Sequence, residues 1–276
     1  MENRIPFSVV ISVYKNDKAA DFDVALRSIT TEQTVKPNEV ILVVDGPVPG
    51  EIDWVIRKYE EMNINLKVIR FAENQGHGNA RRAGTASCTN EIVAIMDADD
   101  ISVNDRFEKQ LSVFEKDESI DVVGGNITEF VGDTNNIVGK RIVPTTDKEI
   151  KLYLKTRCPM NFVTVMFKKS SVQKVGGFID WYCEEDYYLW IRMAQDNMKF
   201  ANVEDSLVNV RVGKEMYSRR GGIKYFKSEA KLQKYMLDIK LIHFSTFFMN
   251  ISKRLIVQVL LTNKLRAWAF KKFARN

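Results

Sequence analysis

"AIMDADDISVNDRFEKQ", residues 94–110, passes from an apolar segment through Asp97, Asp99 and Asp100 into an amphipathic stretch. The unbroken apolar run Ile92–Met96 reads as a strand covered on both faces, and residues near 104–116 space their apolar side chains as a helix does. The same unit recurs along the first half of the chain. Strands are expected at Phe7–Tyr14, Glu39–Val44, Leu66–Phe71 and Asp121–Val123, alternating with helices near 20–33, 51–62 and 77–88. Strands joined by helical crossovers run parallel, so the pattern predicts an α/β chain with a Rossmann-like, doubly wound, mostly parallel sheet. Ligands of such sheets sit beyond the carboxyl ends of the strands, where Tyr14, Asp45 and Asp97 fall.

Aspartates crowded at a strand end repel one another and lose solvation unless a cation or hydrogen-bond donors offset the cost. Asp97 and Asp99, two residues apart, can face one ion. Magnesium and manganese sites commonly use one or two carboxylates, with waters and substrate phosphates completing the shell. The stretch therefore points to a metal-diphosphate site. Capping of the next helix by Asp100 or Asp105 explains one acid and not three. A calcium loop does not fit, because Ile101 and Ser102 stand where an oxygen ligand and a glycine are required.

The 276 residues, 45% hydrophobic and 28% charged, suit a globular chain with a sizeable core. Residues 1–14 carry neither a basic n-region nor a small-residue cleavage site, so no secretory leader is expected. Cys88, Cys158 and Cys183 are scattered, without a C-x-x-C pair, which argues against a disulfide framework or a zinc cluster. The net charge is +5, yet Lys253, Arg254, Lys264, Arg266, Lys271, Lys272 and Arg275 crowd into residues 251–276, which hold no acid. The rest of the chain is slightly acidic, so nucleic acid is not an expected partner. Beyond about residue 125 the pattern changes to a hairpin of 126–131 with 137–142, a helix near 146–156 and a strand at 163–167. A Gly176–Gly177 turn follows, then a helix opening at 184 and a helical region from about 223.

Five segments in order, "FSVVISVYKND", "EVILVVDGPVP", "NQGHGNARRAG", "AIMDADDISVNDRFEKQ" and "EEDYYLWIRMA", resemble the family 2 glycosyltransferases with the GT-A fold. The likeness is greatest to the bacterial enzymes that build capsule, exopolysaccharide and O-antigen repeat units, and it covers at least residues 5–230. It implies a nucleotide-sugar-binding half at residues 1–125, an acceptor-binding and catalytic-base half at 126–222, and a C-terminal helical, basic amphipathic region at 223–276. By the same resemblance, Val13, Tyr14 and Asp45 hold the nucleoside, and Arg81 approaches the base or the phosphates. Asp97 then reaches the ribose, and Asp99 binds a Mn2+ or Mg2+ ion that bridges the donor's diphosphate. The chain departs from many relatives in reading "DGPV" where they have "DDGS", and Asp-Gly is also a plain turn signal.

The implied reaction is inverting transfer from a nucleotide-diphosphate sugar, a UDP-hexose on frequency, to a hydroxyl of a polyprenyl-diphosphate-linked saccharide. In "CEEDYYLWIRMAQD" the family's general base maps to Asp186, with Glu185 as substitute. These acids also suit the positive end of a helix dipole, although three exceed what a cap requires. Arg219 and Arg220 read equally well as a mobile basic loop closing over the diphosphate and as a solvated charged loop. Residues 251–273 set apolar residues among lysines and arginines. The longest uncharged stretch nearby, 241–252, has 12 residues where a bilayer span needs about 20. A helix lying on the cytoplasmic face of the cell membrane fits these residues, and so does a helix packed on the domain.

Three rivals remain. A dinucleotide-binding domain lacks its third small residue, because Arg81 stands there. A sugar-nucleotide nucleotidyltransferase needs a Gly-rich first loop, which "VYKNDKAAD" is not. A catalytically inactive glycan- or lipid-binding module needs neither carboxylate cluster. His77 and His243 receive no metal role.

Overall fold

In β1 (Phe7–Val13) alternate side chains point to opposite faces of the sheet, and both sets are buried: Val9 and Ile11 on one side, Val10 on the other. A strand covered on both faces needs helices above and below it. The computed structural model, which describes residues 4–62, 64–213, 221–261 and 265, supplies them.

The first half alternates strand and helix as the sequence predicts. It runs β1, α1 (Ala19–Ile29), β2 (Glu39–Val44), α2 (Gly50–Glu60), β3 (Leu66–Arg70), α3 (His77–Ser87) and β4 (Ile92–Asp97). All four strands are parallel, in the order β3-β2-β1-β4. Their register pairs Val13 with Val44 and Ser12 with Asp97, so Tyr14, Asp45 and the aspartates after β4 emerge along one edge. The close approach of α3 to the sheet depends on Gly84, whose added Cβ would lie 2.4 Å from Val10 Cγ1.

The second half extends the same sheet. Its elements are β5 (Ile101–Ser102), α4 (Arg106–Lys116), β6 (Ile120–Phe130), β7 (Ile137–Arg141), α5 (Asp147–Leu154), β8 (Met166–Lys168), α6 (Lys169–Lys174), α7 (Glu185–Gln195) and β9 (Lys199–Arg211). Beyond β4 the order is β8-β6-β9-β5, with β7 paired to β6, giving nine strands among the described residues. β8 runs antiparallel to β4, while β9 runs parallel to β6. The hairpin of β6 with β7 forms in the place the sequence marks for it.

The details differ from the sequence reading in three places. β6 is one strand of 11 residues running through position 125, not a short strand followed by a separate hairpin arm. The strand expected at 163–167 is a single 3-10 turn, Phe162–Thr164, followed by β8. β9, 13 residues long, was not anticipated. Its Glu204 and Asp205 interrupt the apolar alternation where the pairing with β6 shifts register.

Two apolar cores result. One lies under α1, α2 and α4; the other joins α3, α5 and α7 with α8 (Ile223–Asp238). Each fully buried Val, Leu, Ile or Phe contributes about 1.5–3 kcal/mol. The chain ends, among the described residues, in α9 (Phe244–Arg254) and a π-helical continuation, Leu255–Leu260. Asn250 fastens α9 to the body, donating to Gln233 Oε1 at 2.8 Å and to the Lys155 carbonyl at 3.0 Å.

Candidate active site

Three aspartates can crowd the end of β4 because one of them, Asp100, is turned into the protein and held there. Asp100 is buried, and its Oδ1 accepts the backbone N–H of Arg211 at 2.8 Å. Burial first, then Asp99 and Asp97, push the Asp100 carboxyl well above the usual carboxylate range. Arg211 Nε also donates to the Asp99 carbonyl at 3.1 Å, and its guanidinium pairs with Asp21 at 3.0 Å. The turn is thus held open by β9 from across the sheet. Neither acid considered as a cap acts as one: Asp105 occupies the N-cap position of α4 without a side-chain cap bond, and pairs with Lys109 at 2.9 Å instead.

Asp97 and Asp99 are left facing the cleft. The tip of Asp99 is exposed, yet the enclosing protein and then the charge of Asp97 push its carboxyl upward. Asp17 stands near both, and burial with these two charges raises it to about 6. Its Oδ2 accepts the Tyr14 N–H at 2.9 Å, closing the turn after β1. Carboxylates disfavoured by mutual repulsion, with hard oxygen donors, match magnesium or manganese. Among the described residues no three His, Cys, Asp or Glu side chains converge tightly enough to enclose an ion. The residues therefore fit an ion held by one or two carboxylates and completed by waters and a diphosphate.

Val13 and Asp45 are buried at the ends of β1 and β2, joined by the Asp45 N–H donating to the Val13 carbonyl at 2.8 Å. The Asp45 carboxylate accepts Gln75 N–H at 2.7 Å, Gly76 N–H at 3.0 Å and Asn74 Nδ2 at 2.9 Å. It therefore fastens the "NQG" loop that opens α3. Gly46 is required in this turn: its φ is +87° and an added Cβ would meet Asn74 N at 2.7 Å. The Tyr14 ring stands edge-on to His77, 6.0 Å between centroids.

Arg81, on α3, connects the two acidic groups. Its guanidinium reaches Asp97 Oδ1 at 3.3 Å and Glu185 Oε1 at 2.7 Å, and lies over the Phe162 ring at 4.1 Å. Arg82 turns the other way, donating to the Phe178 carbonyl. Asp97 at the end of β4 and Glu185 at the start of α7 are therefore neighbours across one guanidinium. Asp186, in the first turn of α7, accepts the Tyr187 N–H at 2.7 Å and lies 3.7 Å from Cys158 Sγ. Burial and then the Glu185 charge raise its carboxyl, with Tyr187 N–H, Arg81 and Arg141 pulling the other way. Arg219 and Arg220 lie outside the described residues.

Asp17, Arg211 and Arg106 escaped the sequence reading. Arg106 is fully buried beneath β4, donating to the Ile95 carbonyl at 2.9 Å and to Gln110 Oε1 at 3.0 Å; burial lowers it to about 9 against the opposing charge of Asp97. An arginine two turns from an aspartate cluster was the available signal, but nothing in "NDRFEKQ" distinguishes a buried arginine from a solvated one.

Solved structures share this architecture. S. aureus TarS 1–349 in complex with UDP-GlcNAc is 16% identical, with a TM-score of 0.67 over 98% of this chain and 76% of that one. The mannosyltransferase PcManGT from Pyrobaculum calidifontis, in complex with GDP-Man and Mn2+, is 16% identical, with a TM-score of 0.63 over 96% and 72%. The fold is that of the GT-A glycosyltransferases. The family model Glycosyl transferase family 2 matches residues 8–176, and the chain belongs to that family. An uncharacterized glycosyltransferase of Haemophilus influenzae is 38% identical over 92% of this chain and 96% of its own. The Escherichia coli UDP-Gal:alpha-D-GlcNAc-diphosphoundecaprenol beta-1,3-galactosyltransferase is 34% identical, over 98% and 96%. The amylovoran biosynthesis glycosyltransferase AmsE of Erwinia amylovora is 33% identical, over 85% and 86%.

Proposed function

We propose that this family 2 glycosyltransferase transfers a hexose from a UDP-sugar, with inversion, to a hydroxyl of a polyprenyl-diphosphate-linked saccharide during bacterial surface polysaccharide synthesis. The observation that supports the reading is the bridge from Asp97 through Arg81 to Glu185, which brings the end of β4 beside the first turn of α7. The Escherichia coli relative, named for a galactosyl donor and a GlcNAc-diphosphoundecaprenol acceptor, supports the substrate classes.

In this reading residues 1–125 hold the donor. Val13, Tyr14 and Asp45 border the nucleoside, Asp97 the ribose, and Asp99 holds Mn2+ or Mg2+. The ion, when bound, neutralises charge on the leaving diphosphate and fixes its oxygens. Residues 126–222 supply the base. The ionised Asp186 carboxylate takes the proton of the acceptor hydroxyl as that oxygen bonds to the anomeric carbon. The bond from that carbon to the diphosphate breaks, and the nucleoside diphosphate leaves with the bonding pair. Proton transfer of this kind contributes about 10²–10⁴-fold. Glu185, tied to Arg81, keeps the guanidinium beside the end of β4.

Residues 223–276 are proposed to rest on the cytoplasmic face of the cell membrane. No helix among the described residues is long and apolar enough to cross a membrane. Phe244, Phe248, Ile256 and Leu260 are exposed by 50–68% along one terminal segment that also carries Lys253 and Arg254. Apolar side chains flanked by cations suit a headgroup boundary.

The test is incubation of the full chain and Mn2+ with UDP-galactose or UDP-glucose and a lipid-linked GlcNAc-diphosphate, with the product's anomeric configuration read by NMR. A β-linked disaccharide is expected. An α-linked product, or no consumption of any UDP-hexose, overturns the proposal.

A further inference from the structure

Asp186 also forms part of the wall of a pocket of about 420 Å3 that none of the strand-end acids lines. Four cations from three parts of the chain converge on it: Arg141 at the end of β7, Arg157 after α5, and Lys253 and Arg254 at the end of α9. Protein acceptors hold Arg141 and Arg254 in place. Arg141 donates to the Cys158 carbonyl at 2.6 Å, and Arg254 pairs with Glu229 at 3.2 Å and donates to the Thr156 carbonyl at 3.0 Å. The acids of the pocket offset them only in part: four cations face Glu184, Asp186 and Glu229, and Glu229 is taken up by Arg254. Glu184 is buried, and burial, followed by the charge of Glu229, drives it toward the neutral form. Cations fixed in advance around a small cavity select a compact anion of more than one charge.

On the reading of function given above, we infer that this pocket seats the acceptor's diphosphate, which brings a hydroxyl of the sugar directly attached to it to Asp186. The donor's diphosphate belongs with Asp97 and Asp99, and neither borders this space. Lys253 and Arg254 sit between exposed Phe248 and exposed Ile256 in the chain, so a lipid leaving the diphosphate meets apolar surface at once. Two phosphates outside the donor site also explain why α9 ends on two adjacent cations, Lys253 and Arg254.

Calorimetric titration of the full chain with inorganic pyrophosphate in EDTA, without donor, tests the pocket apart from catalysis. The wild-type protein is expected to bind, and the double variant Arg157→Gln, Lys253→Gln to bind at least tenfold more weakly, while both bind UDP equally with Mn2+. In transfer assays the double variant is expected to raise KM for a GlcNAc-diphosphate-lipid about tenfold, with kcat and the donor KM held. An acceptor whose diphosphate is replaced by a neutral alkyl linker should be used equally poorly by both proteins. Should the double variant misfold, Lys253→Glu alone, at an exposed position, carries the same measurements.

Equal pyrophosphate affinity in wild type and variant overturns the inference. So does equal use of the two acceptors by the wild type, although the proposed transfer would then stand. Loss confined to phosphatidylglycerol vesicles, with pyrophosphate binding intact, assigns the cations to the membrane and also overturns it. Pyrophosphate binding that depends on these cations, without transfer to any saccharide, leaves the pocket assigned and defeats the reading of function instead.

Discussion

Arg81→Gln removes the guanidinium that joins Asp97 to Glu185. The three side chains are 11%, 36% and 17% exposed, which places the bridge between two measured extremes. Removing one partner of a buried pair costs about 3–5 kcal/mol, whereas an exposed pair is worth about 0–1 kcal/mol. A cost of about 2–3 kcal/mol follows, and loss of the stack on Phe162 adds about 0.5–1 kcal/mol. For a domain of this size each kcal/mol moves Tm by about 2–4 °C, so a fall of about 5–16 °C is expected by differential scanning fluorimetry. The substitution also acts on Asp186, whose carboxyl is raised by burial and by Glu185 and held down in part by Arg81. Without Arg81 that carboxyl rises further. A base works in its ionised form, so activity is lost at a higher pH, and the acid limb of kcat/KM moves alkaline in the variant. Arg81→Lys, which keeps charge but not the fork that reaches two carboxylates, is expected to fall between. A variant within about 1 °C of the wild type in Tm, with its acid limb unmoved, would refute the bridge as the element that couples the two acidic groups.

Three other outcomes are expected. Asp186→Asn should lower kcat by about 10²–10⁴-fold while raising Tm at neutral pH, as read by fluorimetry across a pH series. The sign follows from a folded-state pKa above the unfolded one: the ionised carboxylate destabilises the fold at high pH, and that penalty shrinks as pH falls through the raised value and vanishes below the ordinary carboxylate range. A Tm gain that persists unchanged in acid would contradict this. Gly84→Ala puts a methyl group 2.4 Å from Val10 Cγ1 and should cost about 1–3 kcal/mol in urea denaturation; no loss would mean that α3 does not sit as close to β1. Arg106→Met strands the Ile95 carbonyl and Gln110 Oε1 but relieves a buried charge, for a net loss of about 2 kcal/mol in the same assay. A variant as stable as the wild type would show that the guanidinium contributes nothing beneath β4.

The alternating half of the fold is legible in the sequence because β2 and β4 are long apolar runs, β1 is broken only by Ser8 and Ser12, and each crossover is an amphipathic helix. β9 is not legible, since a strand that carries Glu204 and Asp205 and changes register midway has no period to detect. The acids at 97–100 and 184–186 stand out as charge where burial is expected. Their mutual placement does not, because the Arg81 bridge joins residues 104 apart and depends on the sheet order. The pairing of Asp100 with the Arg211 backbone is hidden for the same reason: it is a contact between distant strand ends. Asp17 looks like a turn residue after β1, and only the register of β1 beside β4 brings it near Asp97 and Asp99.

The polar clamp of the terminal helices, in which Asn250 grips Gln233 and Arg254 grips Glu229, makes the tail a wall of the chamber that contains Asp186. Under the proposed membrane contact and acceptor pocket, grafting the tail of a relative onto this body would change two properties together: the surface offered to lipid, and the shape of the space beside Asp186.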